Sequence, residues 1–146
     1  MMNMLKTVVA AAMVFAASIG AHAADSQKVD EVLVIVTSES LQTQGMAMVL
    51  SSTMAQQGAK VNILLCDTAG DLALQQYDAP ALRPNNVTPG QMMRGLLQQG
   101  ATANVCALYL PNSDYSKEDL IDGVGVATPP DMAAQMLDPG IRVFSF

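Results

Sequence analysis

The chain has 146 residues, 13 acidic and 7 basic, a formal net charge of −6, and a single histidine and no tryptophan. With no Lys/Arg cluster and no aromatic platform, it lacks the phosphate-neutralising surface that nucleic acid binding draws on, and an anionic membrane surface is excluded on the same ground. The sole histidine, His22, lies near the N-terminus, ahead of the first predicted element of the domain.

The first 23 residues have the layout of a secretory signal peptide. Lys6 gives the positive start, Val8 to Ala17 the apolar run, and Ala21-His22-Ala23 the small-residue cleavage pattern. The run falls short of the ~20 apolar residues of a membrane span, so no stable membrane anchor is expected. Cleavage after Ala23 leaves one domain, 24–146, in the periplasm, with six basic residues once Lys6 is removed and no histidine. Without imidazole, a Ser-His-Asp or Cys-His pair and a histidine-ligated zinc are excluded from that domain.

Val32–Val36 is an unbroken β-branched and apolar run, the mark of a strand buried on both faces. A helix is expected over Gln44–Gln57, with Met46, Val49, Leu50, Thr53 and Met54 as its buried face and Gly58 as its stop. Lys60–Cys66 is the second strand, Asp67-Thr-Ala-Gly70 a turn and Asp71–Gln76 a short helix. Tyr77–Thr88, with two prolines and paired asparagines, reads as an irregular loop.

Thr88-Pro89 pairs a capping hydroxyl with proline at the first helical position; Met92, Met93, Leu96 and Leu97 form the buried face, and Gly100 ends the helix. A third strand covers Ala103–Leu110. Ser116-Lys-Glu-Asp119 is a capping-box variant opening a short helix to Ile121. Gly123–Ala127 is the fourth strand, Thr128-Pro129 starts a helix to Leu137, Asp138-Pro-Gly140 breaks it, and Ile141–Phe146 is the fifth strand. This alternation predicts an α/β three-layer sandwich: a mostly parallel five-stranded sheet with helices on both faces.

In such sheets ligands bind beyond the carboxyl ends of the strands. Cys66 ends the second strand and Cys106 lies within the third. Thr37-Ser-Glu-Ser40 lacks the glycines and lysine of a phosphate loop, so no nucleotide cofactor is expected. Of 11 methionines, four precede Ala24; the remaining seven, Met46, Met48, Met92 and Met93 among them, read as core gap-fillers rather than soft-metal ligands, and no metal is expected. Asp67 with Asp71, or Glu118 with Asp119, is a distant candidate for paired-carboxylate hydrolysis, and these acids are more simply turn and helix-start residues.

Cysteine is the remaining nucleophile. Lys117, Arg94 or a helix N-terminus are candidates for lowering its pKa. The residues alone are equally compatible with two small buried structural thiols. With the first strand placed between the second and third, Cys66 and Cys106 stand roughly 9–10 Å apart, beyond the ~7 Å reach of a disulfide. Two free thiols are the expectation.

The run VLVIV, the segment Gly58-Ala-Lys-Val-Asn-Ile-Leu-Leu65, the helix ending Leu96-Leu97-Gln-Gln-Gly100, the strand Ala103-Asn-Val-Cys106 and the tail Asp119-Leu-Ile-Asp-Gly-Val124 together resemble the DsrE/DsrF (YchN-like) family over nearly all of 24–146. The resemblance implies a three-layer α/β homo-oligomer. It also implies a sulfur carrier holding a persulfide on the cysteine matched by Cys106, with protein donors and acceptors of sulfur as partners and no cofactor. Many exported relatives carry a second cysteine three residues on, where this chain has Tyr109, so their vicinal dithiol is absent here. The competing expectation is a non-catalytic ligand-binding or assembly module in which Cys106 is buried, with Tyr109 and the Tyr77–Thr88 loop lining a ligand cleft.

Overall fold

The computed structural model describes residues 29–146; the signal-peptide expectation for 1–23 and His22 lie outside the described residues. Strands β1 (Glu31–Val36), β2 (Lys60–Leu65), β3 (Thr102–Val105), β4 (Val124–Val126) and β5 (Ile141–Ser145) form one sheet. Every pairing in it is parallel, in the order β4-β3-β2-β1-β5. Helices α1 (Leu41–Gln56), α2 (Pro89–Gln98) and α3 (Pro129–Leu137) complete the expected α/β three-layer sandwich. The strand order differs from the placement of β1 between β2 and β3: β1 sits between β2 and β5, and β2 pairs directly with β3.

Handedness explains the layers. From β1 to β4 the chain steps always toward the same edge, so right-handed crossovers place their connections on one face. There α1, α2 and the 3₁₀ segment Asp67–Ala73 cover a core of Val34, Val36, Met48, Ile63, Leu65, Leu72, Met93, Leu96 and Val105. The return from β4 to β5 runs the opposite way, and α3 lands on the other face, where Met132 packs over a small cluster of Leu33, Leu64 and Ala127.

The helix ends follow their local signals. Ser40 and Thr88 cap α1 and α2 through their side chains, Gln91 completes a capping box with Thr88, and Thr128 caps α3. Gly58 and Gly100, with φ of 90° and 96°, turn the chain out of α1 and α2 in the left-handed region that a Cβ disfavours. Ser116 and Asp119 form the expected capping box, although the turn it opens is a 3₁₀ segment of Lys117–Asp119 only.

Three further expectations fail. β3 ends at Val105 rather than Leu110, because the carbonyl of Cys106 accepts from the Tyr109 amide at 2.9 Å and turns the chain. Cys106 therefore stands just past the strand. The buried face of α1 is also not Met46-Val49-Leu50-Thr53. Gln44, Gly45, Ala47, Met48 and Ser51 face the core, whereas Met46, Val49 and Leu50 are 53%, 46% and 41% exposed. The core here is tight: at Gly45 a Cβ would run into the Leu82 side chain. Small side chains let α1 approach, and the larger apolar ones are left outside. Met136 is likewise exposed rather than packed.

This geometry separates two methionines two residues apart. Met48→Ala should cost about 2–5 kcal/mol by opening a cavity, and Met46→Ala no more than about 0.5 kcal/mol. Urea unfolding of the two variants checks the assignment, and equal losses would reverse the helix faces.

Candidate functional site

The connection leaving β3 runs to the α1/α2 face, and the one leaving β4 runs to the α3 face. The two neighbouring strands therefore diverge at their carboxyl ends, which is where an open α/β sheet forms a crevice. Cys106 sits at that divergence. Its amide donates to Leu65 O at 2.8 Å, and one residue further along β4 the Ala127 amide donates to Val105 O at 2.8 Å. Cys106 is half-buried, as is Cys66.

Cys106 borders two depressions. One, of about 440 Å³, is walled by Asp67, Thr68, Asp71, Tyr109, Asn112 and Ser113. The other, of about 210 Å³, is almost wholly apolar and runs between Leu64, Leu108, Ala127, Pro129 and Met132. Leu108, at 70% exposure, forms a rim common to both.

Tyr109 is buried and donates its hydroxyl to Asp71 Oδ1 at 2.6 Å. Burial first, then the Asp71 hydrogen bond and charge, pushes its phenol pKa up, so it remains a neutral donor. Its ring lies so close over Gly70 that a Cβ there would collide with it. Asp67 occupies the left-handed region, with φ of 51°, at the tight exit from β2. The paired carboxylates Asp67 and Asp71 thus do meet on one wall, where Asp71 holds Tyr109.

The cations weighed for thiolate stabilisation are not arranged for it. Arg94 donates to the carbonyls of Leu74 and Gln75, both at 3.3 Å. Lys117 is exposed in its 3₁₀ turn. At the start of α3, beside the apolar depression, Pro129 and Pro130 supply no N–H, and Asp131 accepts the Thr128 hydroxyl at 2.6 Å. That helix end has little left to offer an anion. The Tyr77–Thr88 loop divides: burial and the Asp71 charge push the Tyr77 phenol up, while Leu82 lies away from the cysteines, in a groove with Met46 and Met92.

The residue that sequence reasoning separated from the site is Cys66. Leu65 pairs with Val105 in the β2–β3 register, so Cys66 stands opposite Cys106. Both thiols pack on the α3 face of the sheet against the Leu33–Leu64–Ala127 cluster, and both are free. Neighbouring strands lie ~4.8 Å apart, so the distance argument against pairing, which needed an intervening strand, does not hold. Burial, then hydrogen bonding and charge from Cys106, then Asp67, push the Cys66 thiol up to about 12 from 9.0. Period-2 alternation put Cys66 on the right face, but only sheet order made it a neighbour. Among the described residues no group of three or more His, Cys, Asp or Glu is placed to hold a metal.

Comparison with solved structures places this architecture among known ones. The chain is similar to the YchN protein of E. coli, with 19% identity and a TM-score of 0.67, covering 80% of this chain and 98% of that one. It is also similar to MTH1491 of Methanobacterium thermoautotrophicum, a protein of unknown function, with 12% identity and a TM-score of 0.58, covering 80% of this chain and 98% of that one. The fold is therefore the DsrE/YchN-like one. No protein-family model and no curated protein matches the chain.

The raised Cys66 pKa has a definite sign. A thiol favoured in its neutral form by the fold adds stability below pH 9, and that contribution is lost as pH rises toward about 12. Iodoacetamide should therefore label Cys66 slowly in the native protein at pH 9 and readily at the same pH in urea. Equal rates in both states would remove the burial argument.

Proposed function

We propose that this chain is an exported sulfur carrier that holds a persulfide on Cys106 and passes it between protein partners. The observation that carries the proposal is the position of Cys106: a half-buried free cysteine at the diverging carboxyl ends of β3 and β4, lining an open depression. Persulfide transfer proceeds by thiolate attack on sulfur and needs neither cofactor nor imidazole. The shared fold with YchN is compatible with this, and export rests on the signal-like first 23 residues.

The depressions suit a carrier better than a hydrolase. The carboxylate wall gives no cationic hole for a developing oxyanion, and Asp71 is occupied by Tyr109. A terminal persulfide sulfur projecting from Cys106 would meet the exposed Leu108 rim, a surface open to a partner protein.

Incubation with a sulfane-sulfur donor followed by intact-mass measurement tests the proposal. Cys66→Ser, which keeps Cys106 and lacks the second thiol, should gain one sulfur at Cys106, and Cys106→Ser should gain none. Loading of Cys106→Ser would end the carrier reading.

Self-association forms part of the same proposal. The helix α1, Leu41–Gln56, contains no charged residue, and it exposes Met46, Val49 and Leu50 as one stripe. On a molecule of net charge −6, this uncharged face is where two copies can meet without like-charge repulsion. Val49→Glu should shift the sedimenting species to monomer while the helical circular dichroism is kept; an unchanged mass would place the contact elsewhere.

A further inference from the structure

We propose that Cys66 is the resolving thiol of this site: it attacks sulfur-loaded Cys106, closes a Cys66–Cys106 disulfide across β2 and β3, and releases the carried sulfur as sulfide. The inference rests on the carrier reading of Cys106 and adds a second reacting residue and a chemical exit.

Three observations carry it. Continuing the β2–β3 register by one residue past Leu65 and Val105 sets the cysteines side by side. The Cys106 amide is bonded to Leu65 O at 2.8 Å, so the pairing persists to that point. Cys66, with φ −127° and ψ 160°, keeps the extended backbone of β2 and hence its side-chain alternation. Neighbouring strands hold such Cα atoms ~5 Å apart, inside the ~4.4–6.8 Å span of a disulfide.

The thiols also share a face, packed on the same apolar cluster. Finally, the turn from Cys106 to Tyr109 supplies no other thiol, so the sheet partner is the second sulfur within reach.

The step balances. The Cys66 sulfur attacks Cys106 Sγ, the Cys66–Cys106 S–S bond forms, and the bond from Cys106 Sγ to the outer sulfur breaks. The departing hydrosulfide takes up the proton that Cys66 loses, so thiol plus persulfide gives disulfide plus hydrogen sulfide. The free dithiol is restored by thiol–disulfide exchange with a reduced dithiol protein, which leaves as its own disulfide.

The environment imposes an order on the two sulfurs. Cys106 borders the open depression of about 440 Å³ and Cys66 is not among its lining residues, so incoming sulfur meets Cys106 first. A partner able to accept sulfur quickly would take it from Cys106; in its absence Cys66 would clear the site. The pair then sets the lifetime of the loaded state.

The test treats the reduced protein, Cys66→Ser and Cys66→Ala with inorganic polysulfide, then measures released sulfide and maps peptides without reduction. Loading expels a polysulfide chain one sulfur shorter, so excess reagent is first removed by gel filtration; the wild type should then release up to about one further equivalent of sulfide and show a Cys66–Cys106 linkage, while both variants hold a stable persulfide on Cys106 and release no more. Two variants of different polarity guard against a folding defect, checked by thermal unfolding. If the wild type keeps its persulfide as the variants do, with Cys66 still alkylatable in urea, the resolving role is overturned and the carrier reading stands. If neither wild type nor variants load Cys106, the carrier reading fails and takes this role with it. Diamide gives an arm independent of sulfur loading: failure to link Cys66 to Cys106 would overturn the inference on geometry alone.

Discussion

The direct parallel pairing of β2 with β3 is the constraint on which the site depends. It is held at the amino end by a polar chain across three strands. Lys60 pairs with Glu31 at 2.9 Å, Asn62 donates to Glu31 at 2.7 Å, and the Thr102 hydroxyl donates to Asn62 Oδ1 at 2.7 Å. Asn62 is 8% exposed, so a one-residue slip would strand its amide without partners. The same register, read at the carboxyl end, places Cys66 against Cys106. A polar network at one end of the sheet thus positions two thiols at the other.

The site is built from groups unlike those of a typical thiol enzyme. There is no imidazole in 29–146, the nearby carboxylates are Asp67 and Asp71, and Arg94 is engaged by backbone carbonyls. These groups provide shape and hydrogen bonding rather than acid–base power. Tyr109 is the clearest case: locked over Gly70 and onto Asp71, it walls the depression without titrating near neutrality. Chemistry that moves sulfur between thiols asks for little else, because the nucleophile, electrophile and leaving group are all sulfur.

Helix α1 shows how packing overrides pattern. Its apolar and uncharged polar residues are spread around the helix with no marked apolar face, so periodicity alone cannot choose the inner side. The choice falls to steric fit: Gly45, Ala47 and Ser51 admit close approach to the sheet and to Leu82, and Gln44 and Met48 fill the remaining volume. The outer apolar stripe of Met46, Val49 and Leu50 is thereby left on the surface.

Much of the architecture was legible in the residues themselves. Uninterrupted β-branched runs specify buried parallel strands, Ser/Thr-Pro pairs start helices, and glycines that must adopt positive φ end them. These are local signals carried by side-chain sterics and backbone hydrogen bonding, and each strand-helix unit appears where they stand. The assignment of Cys106 to the third strand's region was also legible, but its place just past the strand end was not, because the turn that stops β3 at Val105 is set by the Tyr109 amide bonding to the Cys106 carbonyl. Lateral strand order was not legible either. Nothing local to Val32–Val36 or Lys60–Leu65 says which neighbour each takes, since that depends on crossovers and on side-chain contacts such as Asn62 with Thr102, forty residues apart. Only the assembled sheet therefore decided that Cys66 faces Cys106, and only three-dimensional fit decided which side of α1 meets solvent.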